Sequence, residues 1–506
     1  MKNMRRIQII FATVLIILTG QSAHAQSQDF KLGQWTEIHN SIIRELSRSY
    51  VDTLPIDKMM RKGVDSMLEQ LDPYTVYIPE EENEDLQMML SKTYGGIGAI
   101  IHKKKEDNVI INEPYFGSPA HKNGLQCGDE ILEIDGLPTK GLETKESSDR
   151  MKGKPGTTVV FKVKKVRTGD TLDIPIVRER IHFPDVEYAG MLDDTTGYIL
   201  QSGFTEGVAQ QIKSNFLDLK AKGMKRLVLD LRGNGGGLMS EAVNIISLFV
   251  PKGSLAVSSK GKTDGSSHEY RTQSDPIDTE TPIIVMIDGG SASASEIVSG
   301  GLQDLKRATI MGKTSYGKGL VQSIRPLPYN GQMKITTAKY YTPSGRCVQG
   351  IGVKPDVEVD VPSYSRLVYS LVLGGVIDQY VIHFARNHDS IAEADDYNFS
   401  DADFEDFISF AKTQDFDYRS SAKATFDKMK EELEEDGLAD VMSNELGALE
   451  KALEMDKERF IRLKKDEIIP FIEEEIAIRY WFQEAGVKIR LRYDKQLKEA
   501  LKTTKQ

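Results

Sequence analysis

The chain has 506 residues, of which 39% are apolar and 28% charged, and carries a net charge of −11. That length exceeds what a single core serves and implies three or more domains, while the composition excludes a disordered chain. The acidic balance counts against nucleic acid and anionic membrane surfaces as partners.

Lys2, Arg5 and Arg6 precede an apolar run from Ile7 to Leu18, and Ala23-His24-Ala25 puts small residues at the −3 and −1 positions of a cut. This reads as a secretory signal peptide over 1–25, because an apolar run of about 12 residues is short for a membrane span. With no cysteine near the cut, a lipid anchor is not expected; a periplasmic location is. Cys127 and Cys347 are the only cysteines. They lie far apart and outside any C-x-x-C or clustered His/Cys pattern, so two free thiols are expected, with no metal and no cofactor.

Residues 26–92 read as a helical N-terminal region that packs as a cap or arm. Trp35, Ile38, Ile42, Ile43 and Leu46 fall at helical spacing, as do Met59, Val64, Met67, Leu68 and Leu71. Asp72-Pro73-Tyr74 breaks the pattern, and an acidic stretch from Glu80 to Asp85 follows.

A β-rich module over 93–168 comes next. It opens with Tyr94-Gly95-Gly96-Ile97-Gly98 and continues through Ala99-Ile100-Ile101 and a strand at Asn108 to Ile111. Gly117-Ser118-Pro119-Ala120, Gly124-Leu125 and the run Gly128-Asp129-Glu130-Ile131-Leu132 to Gly136 follow. This ordered set resembles a PDZ domain of the bacterial, protease-associated kind. The resemblance implies that Gly95, Gly96, Ile97 and Gly98 hold a protein C-terminus. Consecutive backbone N–H groups suit a carboxylate, and the next strand can accept the peptide as an added strand. Lys152 stands where the family commonly has arginine, which puts any regulation through that arginine in doubt.

From 169 to 362 the rhythm becomes α/β, after a linking strand at Thr171 to Val177. Gly197 to Gln201 is a strand, and Gly207 to Lys222 is an amphipathic helix with Val208, Ile212, Phe216 and Leu219 on one face. Leu227 to Leu231 is continuously apolar apart from Asp230, as a parallel strand buried on both faces requires. The glycine loop Arg232 to Gly237 leads into a helix containing Ala242, Val243, Ile245, Ile246 and Phe249. The apolar strand Ile283 to Ile287, a helix at Ser293 to Leu305 and further strands at Ala308 to Met311, Gln322 to Arg325 and Lys334 to Tyr341 follow. Alternating strands and helices predict a parallel or mixed sheet with helices on its faces. Residues 363–506 are charged and helical, an appendage for packing or self-association, with no chemistry of their own.

The chemistry gathers between Ser291 and Gln322. Small residues after a buried strand let a hydroxyl and the following N–H approach a ligand closely. Serine needs a base, and no histidine sits in a motif nearby. Lysine can serve where its surroundings lower its pKa, and Ser–Lys pairs are a known variant of the triad. Lys318 lies between Gly317 and Gly319, and Gln322 follows four residues on to orient it. On chemistry alone Ser291, Ser293 and Ser295 all remain candidates. An oxyanion needs fixed donors; the Ala294 N–H is one, and Gly236 or Gly237 supplies the other. Gly312-Lys313-Thr314 is not a phosphate loop, because Arg307 stands where glycine is required.

Asp230-Leu231-Arg232-x-Asn234-x-Gly236-Gly237, Ser291 to Glu296, Gly317-Lys318-Gly319 and Gln322 together resemble the C-terminal processing, or tail-specific, peptidases. The likeness runs from the helical N-terminal region to about Asp356. It implies a crotonase-like α/β core with Ser293 as nucleophile, Lys318 as general base and Gln322 as orienter, and with Gly237 and Ala294 as oxyanion donors. Asp304 matches a position linked with activity in some members and reads equally well as structural. Lys313 stands where an acidic residue is frequent, and Gly235 where proline is. The expected partners are proteins with unstructured, apolar C-termini, and a second copy or an activating adaptor. A non-catalytic PDZ scaffold and an acyl-CoA enzyme on a related fold are the rival readings; the intact serine, lysine and glutamine oppose the first, the leader and PDZ module the second.

Overall fold

The computed structural model describes residues 28–102, 107–360, 363–454 and 456–503; the leader expected at 1–25 lies outside the described residues. One compact unit takes the chain up to Tyr77 together with Gln332–Ile335, and the other takes Ile78–Gly331 and Thr336–Gln506. In the first, helices span 28–49 and Ile56–Glu69. The apolar stripe of the first helix stays exposed at Phe30, Trp35 and Ile42. The break expected at Asp72 is a side-chain turn, its Oδ1 accepting the N–H groups of Tyr74 and Thr75 at 2.8 Å.

The second unit opens with a helix at Asn83–Ser91 and enters the PDZ module through a hinge of two antiparallel strands. The inbound strand Thr93–Gly96 pairs with the outbound strand Glu179–His182, Thr93 opposite His182 and Gly96 opposite Glu179. Between them, Ala99–His102, Val109–Pro114, Glu130–Ile134, Thr158–Lys164 and Thr171–Val177 form one antiparallel sheet in that order. Thr171–Val177 was expected as a link to the core. It pairs along its whole length with Thr158–Lys164, and Ile176 lies in the module's core with Val159, Phe161 and Val163. The module therefore extends past residue 168. Ala99–His102 is an edge strand of this sheet, with the helix Thr144–Met151 near it.

The core sheet has six strands, in the order Val186–Met191, Thr196–Gln201, Arg226–Asp230, Ile283–Ile287, Ala308–Gly312 and Val357–Glu358. The first pair is antiparallel and the rest are parallel. Successive side chains point to opposite faces, which divides the apolar strands between two layers. Leu227, Leu229, Ile283, Val285 and Ile287 pack with the helices Val208–Ala221, Met239–Ser247 and Ala294–Asp304. Tyr198, Val228, Ile284, Met286 and Met311 face the other way, where Leu497 and Ala500 of the last helix, Lys495–Thr503, cover them. A second sheet in this unit includes Leu255–Gly261, His268–Arg271, Leu320–Pro326 and residues 336–341; the first two of these strands carry no clear pattern in the sequence.

The C-terminal region is a helical domain around Tyr380, Phe384, Phe404, Phe407 and Ile468. Its long helix Lys465–Tyr493 breaks at Phe482, where φ is 64° and ψ −173°. At the break it docks on the PDZ module: the Phe482 ring lies 5.2 Å from Phe116 and 5.1 Å from His121, and Arg479 donates to the Cys127 sulfur at 2.7 Å. Cys127 and Cys347 are both free thiols.

Candidate active site

Strand Ile283–Ile287 is buried throughout and runs into a turn held by Asp288. The Asp288 Oδ1 accepts the N–H groups of Gly233 and Gly290, both at 2.9 Å. Ser293 follows at the N-cap of Ala294–Asp304 with φ 56° and ψ −112°, a conformation that a residue other than glycine adopts only under constraint. The three serines of the motif stand differently. Ser291 and Ser295 are fully buried, and their hydroxyls donate to Leu231 O at 2.7 Å and Asn234 O at 2.8 Å. Ser293 is half-buried and occupies the strained corner itself.

The constraint comes from Glu296, whose carboxylate is fully buried at the third position of the helix. Its Oε2 accepts the N–H of Ser293 and the N–H of Lys318, both at 2.8 Å. Its Oε1 accepts the Gly317 N–H at 2.7 Å and the Ser315 hydroxyl at 2.5 Å. One anion thus anchors the serine turn and the lysine turn together, favoured by its donors and by the helix N-terminus. Tyr340 repeats the link from the carbonyl side, its hydroxyl lying 2.8 Å from Lys318 O and 3.1 Å from Ser293 O. Burial, and then the Glu296 charge, push the Tyr340 pKa well above its usual range, which keeps the phenol a donor. Lys318 is half-buried. Its neighbour Gly319 has no room for a side chain, since a Cβ there would lie 2.6 Å from Gln349 N. Gln322 lies on the following strand, and its Nε2 donates to the Thr336 hydroxyl at 3.3 Å.

The glycine loop is organised by Asn234, which is fully buried. Its side chain donates to Gln201 O at 2.8 Å, and its Oδ1 accepts the Gly236 N–H at 2.9 Å. Its carbonyl takes the Ala292 N–H at 3.0 Å as well as the Ser295 hydroxyl. This corrects one expectation: the Gly236 N–H is already engaged, so Gly236 gives space and no donor. A Cβ at Gly236 would lie 2.6 Å from Ala292 O and 2.8 Å from Ala294 N. Gly237, at φ 155°, lies against Phe204, where a Cβ would stand 2.6 Å from the carbonyl oxygen.

Beside this loop, Arg232 packs between Asp230 and the C-terminal domain. Its Nε donates to Asp230 at 3.0 Å and its Nη1 to the Gln496 Oε1 at 2.8 Å, and Asp494 pairs with its other terminal nitrogen. Burial opposes the charge, but the Asp230 and Asp494 carboxylates outweigh it and raise the guanidinium pKa. Asp304 accepts the Ser344 N–H at 2.9 Å and pairs with Arg346, tying the far end of the helix Ala294–Asp304 to the 342–346 turn. Lys313 pairs with Glu358 at 2.9 Å and Asp360 at 2.6 Å, and so turns to surface carboxylates.

In the PDZ module the four residues expected to hold a carboxylate divide. Gly95 and Gly96 lie in the inbound hinge strand opposite Arg180 and Glu179. Ile97 is buried, and Gly98 makes the turn at φ 73°. Ile97 and Met151 are buried in the module's core, and half-buried Ala99 and Ile101 pack against it. Among the described residues no group of His, Cys, Asp or Glu could hold a metal ion.

Glu296 and Asn234 stand in the motifs that carry the resemblance, but their anchoring roles, and Tyr340 altogether, were missed in the sequence. The role of Glu296 leaves a local signal, the S-x-x-E spacing of a capping box from Ser293.

Residues 195–359 match the family described as Peptidase family S41, residues 95–176 the PDZ domain family, and residues 367–503 the family described as Probable PDZ-protease, C-terminal helical domain. The chain is 36% identical over 359 residues to the carboxy-terminal-processing protease of Bartonella bacilliformis, covering 70% of this chain and 81% of that one. It is 30% identical over 367 residues to the carboxy-terminal processing protease CtpA of Bacillus subtilis, covering 71% and 77%. Among solved structures, a photosystem II D1 C-terminal processing protease is 27% identical, with 64% of this chain and 86% of that one covered, at a TM-score of 0.40.

Proposed function

The chain belongs to peptidase family S41, as a PDZ-bearing serine peptidase of the carboxy-terminal processing kind, and we propose that it works by a Ser293–Lys318 dyad on proteins with unstructured, apolar C-termini. The observation that carries this is the double acceptance by Glu296 Oε2, which hangs the Ser293 and Lys318 backbones on one oxygen.

A captured tail lies along the edge strand Ala99–His102, where half-buried Ala99 and Ile101 suit apolar side chains. The chain upstream of it reaches Ser293 extended. The Ser293 hydroxyl attacks the scissile carbonyl while neutral Lys318 Nζ takes its proton. The carbonyl oxygen becomes an oxyanion held by the N–H groups of Gly237 and Ala294, each worth about 3 kcal/mol. Collapse expels the amine of the leaving fragment, which takes its proton from Lys318. Lys318 then deprotonates the water that frees the acyl group. Gln322 orients the lysine through its carboxamide oxygen, its nitrogen being engaged by Thr336. We read the core as crotonase-like, and the leader at 1–25 supports export to the periplasm.

An unfolded substrate with an apolar C-terminus, incubated with wild type and Ser293→Ala, tests the reading. Wild type is expected to cleave it and Ser293→Ala is not; equal cleavage by both ends the catalytic proposal.

A further inference from the structure

We propose that Lys92 and Asp185 form a positioning pair that seats the oxyanion loop from the base of the PDZ hinge. This rests on the reading of Gly237 as an oxyanion donor.

Lys92 is the last residue before the inbound hinge strand. It ends the helix Asn83–Ser91 at φ 48°, and its carbonyl accepts the Phe183 N–H at 2.9 Å, which clasps the two hinge strands where they leave the core. Its Nζ lies 3.0 Å from Asp185 Oδ1 and donates to the Ser202 hydroxyl at 2.9 Å. Asp185 is fully buried. A buried carboxylate without a cation is strongly unfavourable, so Asp185 holds Lys92, and with it the hinge, in one position.

Asp185 also fixes the segment that carries Phe204. Its carbonyl accepts the Ser202 N–H at 2.8 Å, and its Oδ2 accepts the N–H of Thr205 at 2.9 Å and the Thr205 hydroxyl at 2.5 Å. Gly203 sits inside this clamp, where a Cβ would stand 2.4 Å from Asp185 Oδ1 and 2.7 Å from Lys92 Nζ. Phe204 is thus held on both sides along the chain. Its carbonyl accepts the Leu238 N–H at 2.8 Å, which sets Phe204 beside Gly237 in an isolated parallel bridge. The route from hinge to oxyanion donor is therefore continuous: Lys92, Asp185, Thr205, Phe204, Gly237. None of these side chains reaches the reacting atoms, so the pair acts by placing the Gly237 peptide. A displacement of about 1 Å at such a donor is enough to lower turnover by ~100-fold.

The test uses the full chain as wild type, Lys92→Met, Lys92→Arg and the doubly neutral Lys92→Met/Asp185→Asn, which leaves no buried charge alone and keeps the question open should Lys92→Met unfold. Steady-state cleavage of the unfolded substrate gives kcat and KM, and anisotropy of a labelled apolar tail peptide gives PDZ affinity. The Lys92→Met and double variants are expected to lose kcat by roughly tenfold or more, with KM and tail affinity within about twofold, while Lys92→Arg recovers most of it. Amide exchange at Gly237 and Leu238 reads the same placement without turnover, and is expected to quicken in both methionine-bearing variants. Wild-type kcat and unchanged exchange in the double variant overturn the pair, as does a loss confined to KM. Should Ser293→Ala cleave like wild type, the peptidase reading fails, and the exchange rates alone then decide whether the pair seats the loop.

Discussion

Glu296→Gln keeps the size of the side chain and removes only the charge and one acceptor. The carboxylate takes the N–H groups of Ser293, Lys318 and Gly317 and the Ser315 hydroxyl. A carboxamide has one oxygen to accept with and a nitrogen that can only donate, so whichever way it turns at least one backbone N–H meets another donor: those of Ser293 and Lys318, or that of Gly317, where the Ser315 hydroxyl can turn and accept instead. Hydrogen bonds to a buried charge contribute about 1.5–3 kcal/mol each, so losing one or two removes roughly 1.5–6 kcal/mol. If the protein kept the serine and lysine turns in place it would lose that much stability. The strained Ser293 corner, held by the same carboxylate, gives way more readily, and its release misplaces the nucleophile. The expected outcome is a fall in kcat of ~100-fold with KM within about threefold, together with a melting temperature lowered by only a few degrees. Steady-state cleavage of an unfolded substrate and a thermal melt on the same preparation give both numbers. A Glu296→Gln protein that keeps more than about half of wild-type kcat refutes the anchoring role argued from these bonds.

Gly237→Ala adds a methyl that must stand 2.6 Å from Phe204 O at a φ of 155°; kcat is expected to fall ~100-fold or more with tail binding intact, and an active Gly237→Ala protein argues against Gly237 as donor. The interface between the PDZ module and the helical domain carries a pH dependence of definite sign. Burial raises the Glu113 carboxyl to about 7 against its Gln483 hydrogen bond, and burial followed by Asp378, Glu474 and Glu113 raises Glu475 to about 7. Both folded values exceed the unfolded ones near 4.5, so the folded chain holds protons that the unfolded chain has lost between them. The stability these groups contribute is full below about pH 4.5, falls as pH rises towards 7 and levels off above it, on the order of 3 kcal/mol for one such group. Thermal melts from pH 5 to 8 should show the melting temperature dropping in wild type and dropping less in Glu475→Gln; parallel curves would count against this account.

The strands of the core sheet were legible because burial on both faces demands unbroken apolar runs such as Ile283–Ile287; the serine turn and the Lys318 turn stood out by their small residues, but chemistry left Ser291, Ser293 and Ser295 open and the resemblance alone chose Ser293. Thr171–Val177 was seen as a strand but given to the wrong neighbour, since its alternation says that one face is buried and not which sheet it joins. Leu255–Gly261 escaped because Ser258, Ser259 and Lys260 dilute its pattern. The anchors of the site were hidden for a different reason. Glu296 caps its own helix, which the sequence can suggest, yet its other donors lie at Ser315, Gly317 and Lys318, and Tyr340 arrives from a separate strand. Gly236 looked equal to Gly237 because the sequence does not say which N–H Asn234 occupies. Contacts of that range leave no periodicity to read.

The last helix, Lys495–Thr503, has a consequence for time. The strands of the catalytic sheet are complete by Glu358, but one face of that sheet is covered by Leu497 and Ala500, and Arg232 takes its outer partners from Asp494 and Gln496. A growing chain therefore carries the serine, the lysine and the glycine loop for about 140 further residues before the sheet can close. At synthesis rates of roughly 5–20 residues per second that is an interval of roughly 7–30 s. Through it the nascent chain holds Ser293 and Lys318 on a sheet with one face uncovered, until residues 495–503 have been made.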